Sequence, residues 1–200
     1  MSDSTGAPAG TAPGTAPAAA ASGLGAPASD GSAAPAKQWA PGDAGVADDG
    51  THFVVYAGLV HAGGDRNWRN NNPGNLEGGS FADGHGSLGD DGRFAIFPSH
   101  QAGYDALIAL LQIPAYQEGT LEDAMNRYAP MTENDTGSYV SFLVSHVGLA
   151  PDTPMKDLSS SQIDAMATAI SDFEGGHPGQ TYGPGSSDPP WVQQIFASIS

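Results

Sequence analysis

The first quarter of the chain limits how much of it can fold. Residues 1–50 consist mainly of Ala, Gly, Pro, Ser and Thr, and Trp39 is their only aromatic residue. A segment with so few large apolar side chains cannot bury enough surface to offset the entropy lost on ordering. We therefore expect a disordered tail or linker over residues 1–50 and a single domain over residues 51–200.

The charge of the chain excludes several classes of partner. The formal net charge is −16, and only five basic residues lie beyond residue 50. Nucleic-acid binding and simple adhesion to anionic membranes or cell walls need a basic surface, so we expect neither. An enzyme with this charge that acts on an anionic polymer would have to bind it by groove shape and hydrogen bonds.

Segments for export, membrane insertion or metal binding are not evident. The first ten residues lack the basic residues and the following apolar stretch of a signal peptide, so we expect none. A run of about 18 apolar residues is also missing, so no membrane-spanning helix is expected. The chain has no Cys, which excludes disulfides and thiolate sites, and we expect neither a metal nor a cofactor.

Helix signals dominate the second half of the domain. Capping residues followed by apolar residues at helical spacing predict helices at about 100–112, 121–128 and 136–147. A further helix is predicted to follow the Ser159-Ser160-Ser161 run and to end at Glu174, and a short one is expected after Pro190. Between residues 52 and 61 an apolar run fits either a helix or a strand, and residues 93–97 fit a short strand. We expect a mainly α (α+β) fold, in which a helical lobe and a small loop and β lobe enclose a cleft.

The helix predicted before Gly175 ends in an acid. Ile163, Ile170 and Phe173 lie on one face, and Glu174 sits on or beside that face. Apolar neighbours and the negative end of the helix dipole both favour a protonated carboxyl there, as general-acid catalysis requires. The alternative is a solvated Glu at a fraying helix end.

A run of asparagines forms the most unusual loop. In RNNNPGNL, residues 69–76, Pro73 and Gly74 fit the central positions of a type II turn. Asn71, Asn72 and Asn75 either support this turn or line a groove for sugar hydroxyl and N-acetyl groups, which amides bind well.

A second acid stands before the 136–147 helix. Glu133, with Asp135 and Thr136, either caps that helix or brings another carboxylate to the cleft. A separation from Glu174 of about 5–5.5 Å would indicate a retaining nucleophile, and roughly 6.5–9.5 Å an inverting base.

Three segments together resemble known protein groups. RNNNPGNL, GRFAIFPSHQAGYDALIALL at 92–111 and RYAPMTENDTGSYVSFL at 127–143 resemble the Arg-Asn-Asn-Asn-Pro-Gly-Asn proteins of bacteriophages. Those are often labelled virion structural proteins, and some are linked to peptidoglycan lysis. The same order is similar to family 73 glucosaminidases, whose catalytic Glu ends a helix before an Asn turn.

The chain departs from the glucosaminidase pattern at the acid. The matching stretch, LVHAGG at 59–64, contains His61 and no Glu. AISDFEGG at 169–176 is instead similar to the helix end that carries the acid of lytic transglycosylases. Placing this helix after the Asn turn would amount to circular permutation of a lysozyme-like fold, which is tolerated when chain ends lie close together.

These resemblances imply an enzyme that cleaves the glycan strand of peptidoglycan as a muramidase, glucosaminidase or lytic transglycosylase. Glu174 would be its acid and Glu133 its second carboxylate, with Tyr139 and Tyr182 stacking or hydrogen-bonding in the sugar groove. The rival is a non-catalytic virion or secretion-apparatus module of the same shape. A Glu174 that lines a cleft beside the Asn turn favours the enzyme, and a Glu174 on a convex surface excludes the permuted lysozyme.

The phage resemblance also implies where the protein acts. It would be associated with the virion or delivered to the bacterial periplasm and cell wall. The tail would then be either a linker or the segment that docks a virion or secretion-apparatus partner.

Overall fold

The fold combines a small antiparallel sheet with a larger helical layer. The computed structural model describes residues 37–129, 136–185 and 187–199. The strands are β1 Ala44–Val46, β2 His52–Tyr56, β3 Leu59–Ala62, β4 Gly89–Asp90, β5 Ala95–Ile96 and β6 Gln180–Tyr182. The helices are α1 Arg66–Arg69, α2 Ser80–Gly84, α3 His100–Leu111, α4 Pro114–Gln117, α5 Leu121–Tyr128, α6 Thr136–Val147, α7 Ser160–Glu174 and α8 Pro190–Ile199. Met155–Asp157 forms a 3-10 turn. No helix among these residues is long and apolar enough to cross a bilayer.

The four-stranded sheet explains why residues 52–61 gave an ambiguous pattern. The strands run antiparallel in the order β1-β2-β3-β6. Within β2, Phe53 and Val55 face the cluster that includes Ile195 of α8, whereas Val54 and Tyr56 face Ile96. Because both faces of β2 are covered, the run is apolar throughout and lacks the alternation of a half-exposed strand. The correct interpretation of this segment is a hairpin.

The fold begins before residue 51. Strand β1 pairs with β2, with Ala44 opposite Val54, and the Trp39 ring packs edge-on against Phe53 at 4.9 Å. The boundary predicted after residue 50 is therefore too late, because burial against the sheet compensates for the weak local composition. Residues 1–36 of the predicted tail lie outside the described residues.

The caps define the helices where the sequence predicted them. Ser99 accepts a hydrogen bond from the backbone N–H of Ala102 at the start of α3. Thr120 forms a capping box with Asp123 at the start of α5, and Ser159 forms one with Gln162 at the start of α7. All three predicted starts are confirmed, and so is the helix after Pro190. Helices α3, α5, α6 and α7 share one core, centred on Leu107, Leu111, Met125, Leu143, Met166 and Ile170, whereas α8 packs against β2 in a separate cluster.

Helix α3 approaches the Asn run closely through Gly103. A Cβ atom added at Gly103 would lie 2.1 Å from the backbone oxygen of Asn71 and 3.0 Å from Pro73 Cδ. This packing fixes the helical layer against the loop. It requires glycine, although glycine is a poor helix former.

We expect Gly103→Ala to destabilise the protein by about 2 kcal/mol or more, because the close contact is with backbone and cannot rotate away. In an exposed helix the same substitution would stabilise by about 1 kcal/mol. Urea unfolding measures the change. Gly84→Ala, where an added Cβ meets nothing within 4 Å, is the control and should leave stability unchanged or slightly higher. An unchanged free energy of unfolding in Gly103→Ala would contradict this close packing.

Candidate active site

The Asn run folds as a tight turn, but not of the predicted type. The Asn75 N–H donates to the Asn72 oxygen at 3.0 Å, so Pro73 and Gly74 occupy the two central positions. A type II turn needs a positive φ at Gly74, and the positive values lie instead at Asn71, with φ 52°, and at Asn75, with φ 48°. Asn tolerates this conformation better than most residues with a side chain. The turn is confirmed, and its assignment to type II is wrong.

Glycine at position 74 serves close packing. An added Cβ would lie 2.7 Å from the Tyr128 hydroxyl and 2.8 Å from Leu76 Cδ1. The Tyr128 hydroxyl donates to the Gly74 backbone oxygen. Burial, with Glu174 and Tyr116 nearby, raises the pKa of Tyr128 well above its usual value, so this donor keeps its proton. The turn is thereby fixed to the end of α5.

Asn72 holds the turn and does not reach the cleft. It is fully buried, and its Nδ2 donates to the backbone oxygens of Leu76 and Ala95 at 2.8 and 2.9 Å. Its Oδ1 accepts from the Leu76 N–H at 2.8 Å. Asn71 donates to the Phe97 oxygen at 3.3 Å and does not line the cleft either. Both side chains therefore bind backbone groups of the fold and lie outside the lining of the cleft.

Glu174 ends α7 and points towards this turn. Gly175, with φ 74°, terminates the helix as predicted. The carboxylate of Glu174 accepts a hydrogen bond from Asn75 Nδ2 at 2.8 Å and another from the Tyr139 hydroxyl at 3.1 Å. The side chain is half-buried. One oxygen is thus oriented by the Asn loop and the other by helix α6.

Further hydrogen bonds tie the end of α7 to the loop before the Asn run. Asn67 Nδ2 donates to the backbone oxygen of Gly175 at 2.6 Å and to that of Glu174 at 3.3 Å. The His177 N–H and its Nδ1 atom both contact Asp65 Oδ2 at 2.8 Å. These hydrogen bonds from His177 lower the pKa of Asp65. The position of Glu174 is therefore set by residues about 100 positions earlier in the chain.

A cleft of about 810 Å³ opens beside Glu174. One wall is the loop from Gly74 to Phe81 with Arg93 and Phe94. The other wall is helical, from α3, α4 and α5, and Glu174 lies in the lining. Its volume is typical of small-ligand sites. The predicted cleft between a helical lobe and a loop lobe matches this arrangement.

The remaining predicted site residues lie in different places. Tyr139 is 2% exposed and contacts Glu174. Burial, with Tyr128 and Glu174 nearby, raises its pKa far above the usual value, so its hydroxyl remains a donor. Tyr182 of β6 packs edge-on against Trp191 of α8 and does not line the cleft. Glu133 lies outside the described residues.

The structure adds a cleft carboxylate that sequence reasoning missed. Glu77 lies just after the Asn run and lines the cleft, and its Oε1 pairs with Arg93 Nε at 3.0 Å. Its position directly after RNNNPGNL was the one sequence signal that could have indicated this role. A single Glu in a glycine-rich loop, however, has the same pattern as a solvent-exposed surface residue. Two acids, Glu77 and Glu174, therefore face one cavity.

His61 lies in strand β3, away from the cleft. Its ring stacks on Trp68 at 4.4 Å and meets the Tyr56 ring at 4.9 Å. Burial lowers its pKa. The stretch matched to the helix end of glucosaminidases is thus a strand in this protein, and His61 does not take the place of the acid.

This arrangement suits proton transfer. A carboxyl group held by two neutral donors beside an open cleft has a fixed orientation, and a bound substrate atom can approach it from the cavity. The apolar rings of Phe81, Phe94 and Tyr116 line the same cavity as the polar groups. Such a mixture is typical of sites for small polar ligands or sugars.

Comparison with known proteins places the chain among phage proteins. No protein-family model matches the chain. It is 31% identical over 123 residues to Protein P5 of Pseudoalteromonas phage PM2, and the matched region covers 58% of this chain and 75% of that protein. At this identity and coverage, the chain belongs to the same family as Protein P5 of Pseudoalteromonas phage PM2.

Proposed function

We propose that this protein cleaves the glycan strand of peptidoglycan, with Glu174 as the general acid and a lysozyme-like helical domain as the framework. The observation that carries the proposal is the position of Glu174 in the cleft, where Asn75 and Tyr139 orient its carboxylate. A convex, solvent-facing position would have excluded it.

The contacts of α7 support a permuted arrangement. In the glucosaminidases to which the sequence is similar, the acid ends a helix that precedes an Asn turn. Here α7 follows the turn in the chain, yet Asn67 and Asn75 bind its last residues. A helix ending in Glu thus meets the Asn turn in space, although the order in the sequence is reversed. The likeness to the helix end of lytic transglycosylases agrees with this placement.

The proposed chemistry is protonation of the glycosidic oxygen by Glu174. As the bond to that oxygen breaks, the sugar develops oxocarbenium character. Tyr139 and Asn75 fix the carboxyl group, and the shift in the pKa of Tyr139 keeps its hydroxyl protonated across the working pH range. Asn75 Oδ1 is buried and has no donor among the described residues. A buried oxygen without a donor lowers the stability of the protein. Such a group is therefore more typical of a functional site than of a residue that only supports the fold.

The second carboxylate distinguishes the reaction types. Glu133, predicted for this role, lies outside the described residues, and Glu77 lines the cleft. In a hydrolase either acid would stabilise the developing cation or activate water. If neither is needed, the substrate's own hydroxyl attacks and an anhydro end is released, as in a lytic transglycosylase.

The family relationship supports a phage context. Since the relative is a phage protein, we propose that this chain is associated with a virion, or is delivered by one to the periplasm and cell wall. A docking role for residues 1–36, towards a virion or secretion-apparatus partner, belongs to the same proposal.

The rival function is a non-catalytic virion module that keeps the sugar groove. It is favoured by the absence of Glu from the LVHAGG stretch, where the similar glucosaminidases carry their acid. In that case the hydrogen bonds of Glu174 would serve only to fix the end of α7.

Asn75→Gly tests the enzymatic proposal at the residue that orients the Glu174 carboxyl group. We expect it to lower the rate of muropeptide release from purified peptidoglycan about 10–100-fold, because the carboxyl group loses the donor that orients it. Glycine accepts the positive φ of position 75, so the free energy of unfolding should change by less than about 1 kcal/mol. Urea unfolding of the same sample provides the control. An unchanged rate, or a loss of activity explained by unfolding, would contradict the role given to Asn75.

A further inference from the structure

The cleft places two basic residues beside its two acids in a protein that is otherwise strongly acidic. The chain has six basic residues and a net charge of −16. Two of the six, Arg93 and Arg127, line the cleft that also holds Glu174. A substrate with negative charge would be repelled over most of this surface, so any attraction has to come from groups at the cleft.

Arg127 is the cleft cation that is available to a ligand. It lies in the last turn of α5 and is exposed. Its guanidinium stands 6.0 Å from the centre of the Tyr116 ring, and it forms no ion pair with the described carboxylates. Arg93, by contrast, is paired with Glu77. A guanidinium beside an aromatic ring is well suited to bind a carboxylate in a planar, bidentate manner.

Tyr116 supplies a second polar group at the same wall. Its residue is 7% exposed and lines the cleft, and its hydroxyl has no hydrogen-bond partner among the described residues. The hydroxyl does not belong to the fully buried polar atoms that lack a partner, so it is open to a ligand in the cleft. Burial, only partly offset by Arg127, raises the pKa of Tyr116, so the hydroxyl is a donor at neutral pH.

We propose that Arg127 and the Tyr116 hydroxyl together bind a carboxylate of the substrate, namely a free carboxylate of the peptide stem attached to the glycan strand. This inference rests on the proposed function, because that function supplies the glycan, and it adds the peptide as a specificity determinant. The substrate would then be a strand with stems bearing free carboxylates, preferred over the same strand with those carboxylates amidated.

Binding, measured without cleavage, tests this directly. The full-length Glu174→Gln protein is titrated with a soluble peptidoglycan fragment that carries free stem carboxylates, and with the same fragment after chemical amidation of its carboxyl groups. Arg127→Gln, Tyr116→Phe and Lys156→Gln are each added to this background. Lys156 is exposed, lies outside the cleft and carries the same charge as Arg127, so it controls for net charge.

We expect the free-carboxylate fragment to bind about tenfold more tightly than the amidated one, which is the effect of one exposed charge-assisted interaction. Arg127→Gln should abolish this preference, Tyr116→Phe should reduce it about threefold, and Lys156→Gln should retain it. Equal affinity for both fragments, or a preference that survives Arg127→Gln, would overturn the inference and leave the proposed function standing. Loss of the preference in Lys156→Gln would also overturn it. Failure of both fragments to bind would reject the proposed function together with the inference.

Discussion

Replacing Glu174 with Gln is expected to reduce the rate of peptidoglycan cleavage about 10²–10⁴-fold, which is the usual contribution of a general acid. Gln has nearly the same shape and still accepts a hydrogen bond from Tyr139 or Asn75, so the cleft keeps its geometry. It carries no acidic proton for the glycosidic oxygen. The rate is followed as loss of turbidity of purified peptidoglycan, and circular dichroism checks that the variant is folded.

Asp172→Asn is the matched control for this experiment. Asp172 lies on the same helix, is exposed and does not line the cleft, and its substitution removes the same charge. We expect its activity to equal that of the unmodified protein. Full activity in Glu174→Gln would exclude this residue as the acid, and attention would pass to Glu77 and Glu133. Equal losses in both variants would indicate an effect of charge alone.

Asn72→Ala is expected to have the largest effect on stability, about 3–5 kcal/mol. The substitution removes three hydrogen bonds and leaves the Leu76 N–H and the Ala95 oxygen buried without this partner. Each such group costs about 1–3 kcal/mol. In urea the unfolding midpoint should fall while the slope of the transition stays constant.

Asn71→Gly provides the comparison within the same run. It keeps the positive φ without strain and loses one hydrogen bond of 3.3 Å, so we expect a change below about 1 kcal/mol. The comparison distinguishes Asn72, whose buried side chain forms several hydrogen bonds, from Asn71, which is needed mainly for its positive φ. Equal effects in the two variants, or a small effect in Asn72→Ala, would contradict the structural role assigned to Asn72.

The helices could be predicted because their signals are local. Ser99, Thr120 and Ser159 are each followed within one turn by the backbone groups they cap, and apolar residues then recur at helical spacing. Such patterns depend on neighbours only a few residues away. The start of each helix therefore follows from the sequence alone.

The sheet was harder to predict because its pairs are distant in the chain. Strand β6 consists of three residues, and Tyr182 pairs with Val60 more than 100 residues earlier. Nothing in QTY distinguishes it from a loop. Strand β1 is also three residues long and acquires its structure from β2. Both strands form because of tertiary contacts, which no local sequence pattern encodes.

The Asn run shows the same limit at the level of side chains. The sequence predicted a turn and offered Asn71, Asn72 and Asn75 as equal candidates for a groove. Their directions depend on the two positive φ values, at Asn71 and Asn75, and on the contact of the loop with Gly103. Only Asn75 reaches Glu174. Three identical residues thus have different roles that composition cannot separate.

The mass of the fragments released from purified peptidoglycan by the unmodified protein tests the central claim most directly. We predict soluble muropeptides cut within the glycan strand, with a reducing end from hydrolysis or an anhydro end from transglycosylation, and none above background from Glu174→Gln. Absence of glycan fragments from the folded, unmodified protein, or the same fragments in equal amount from Glu174→Gln, would contradict the account.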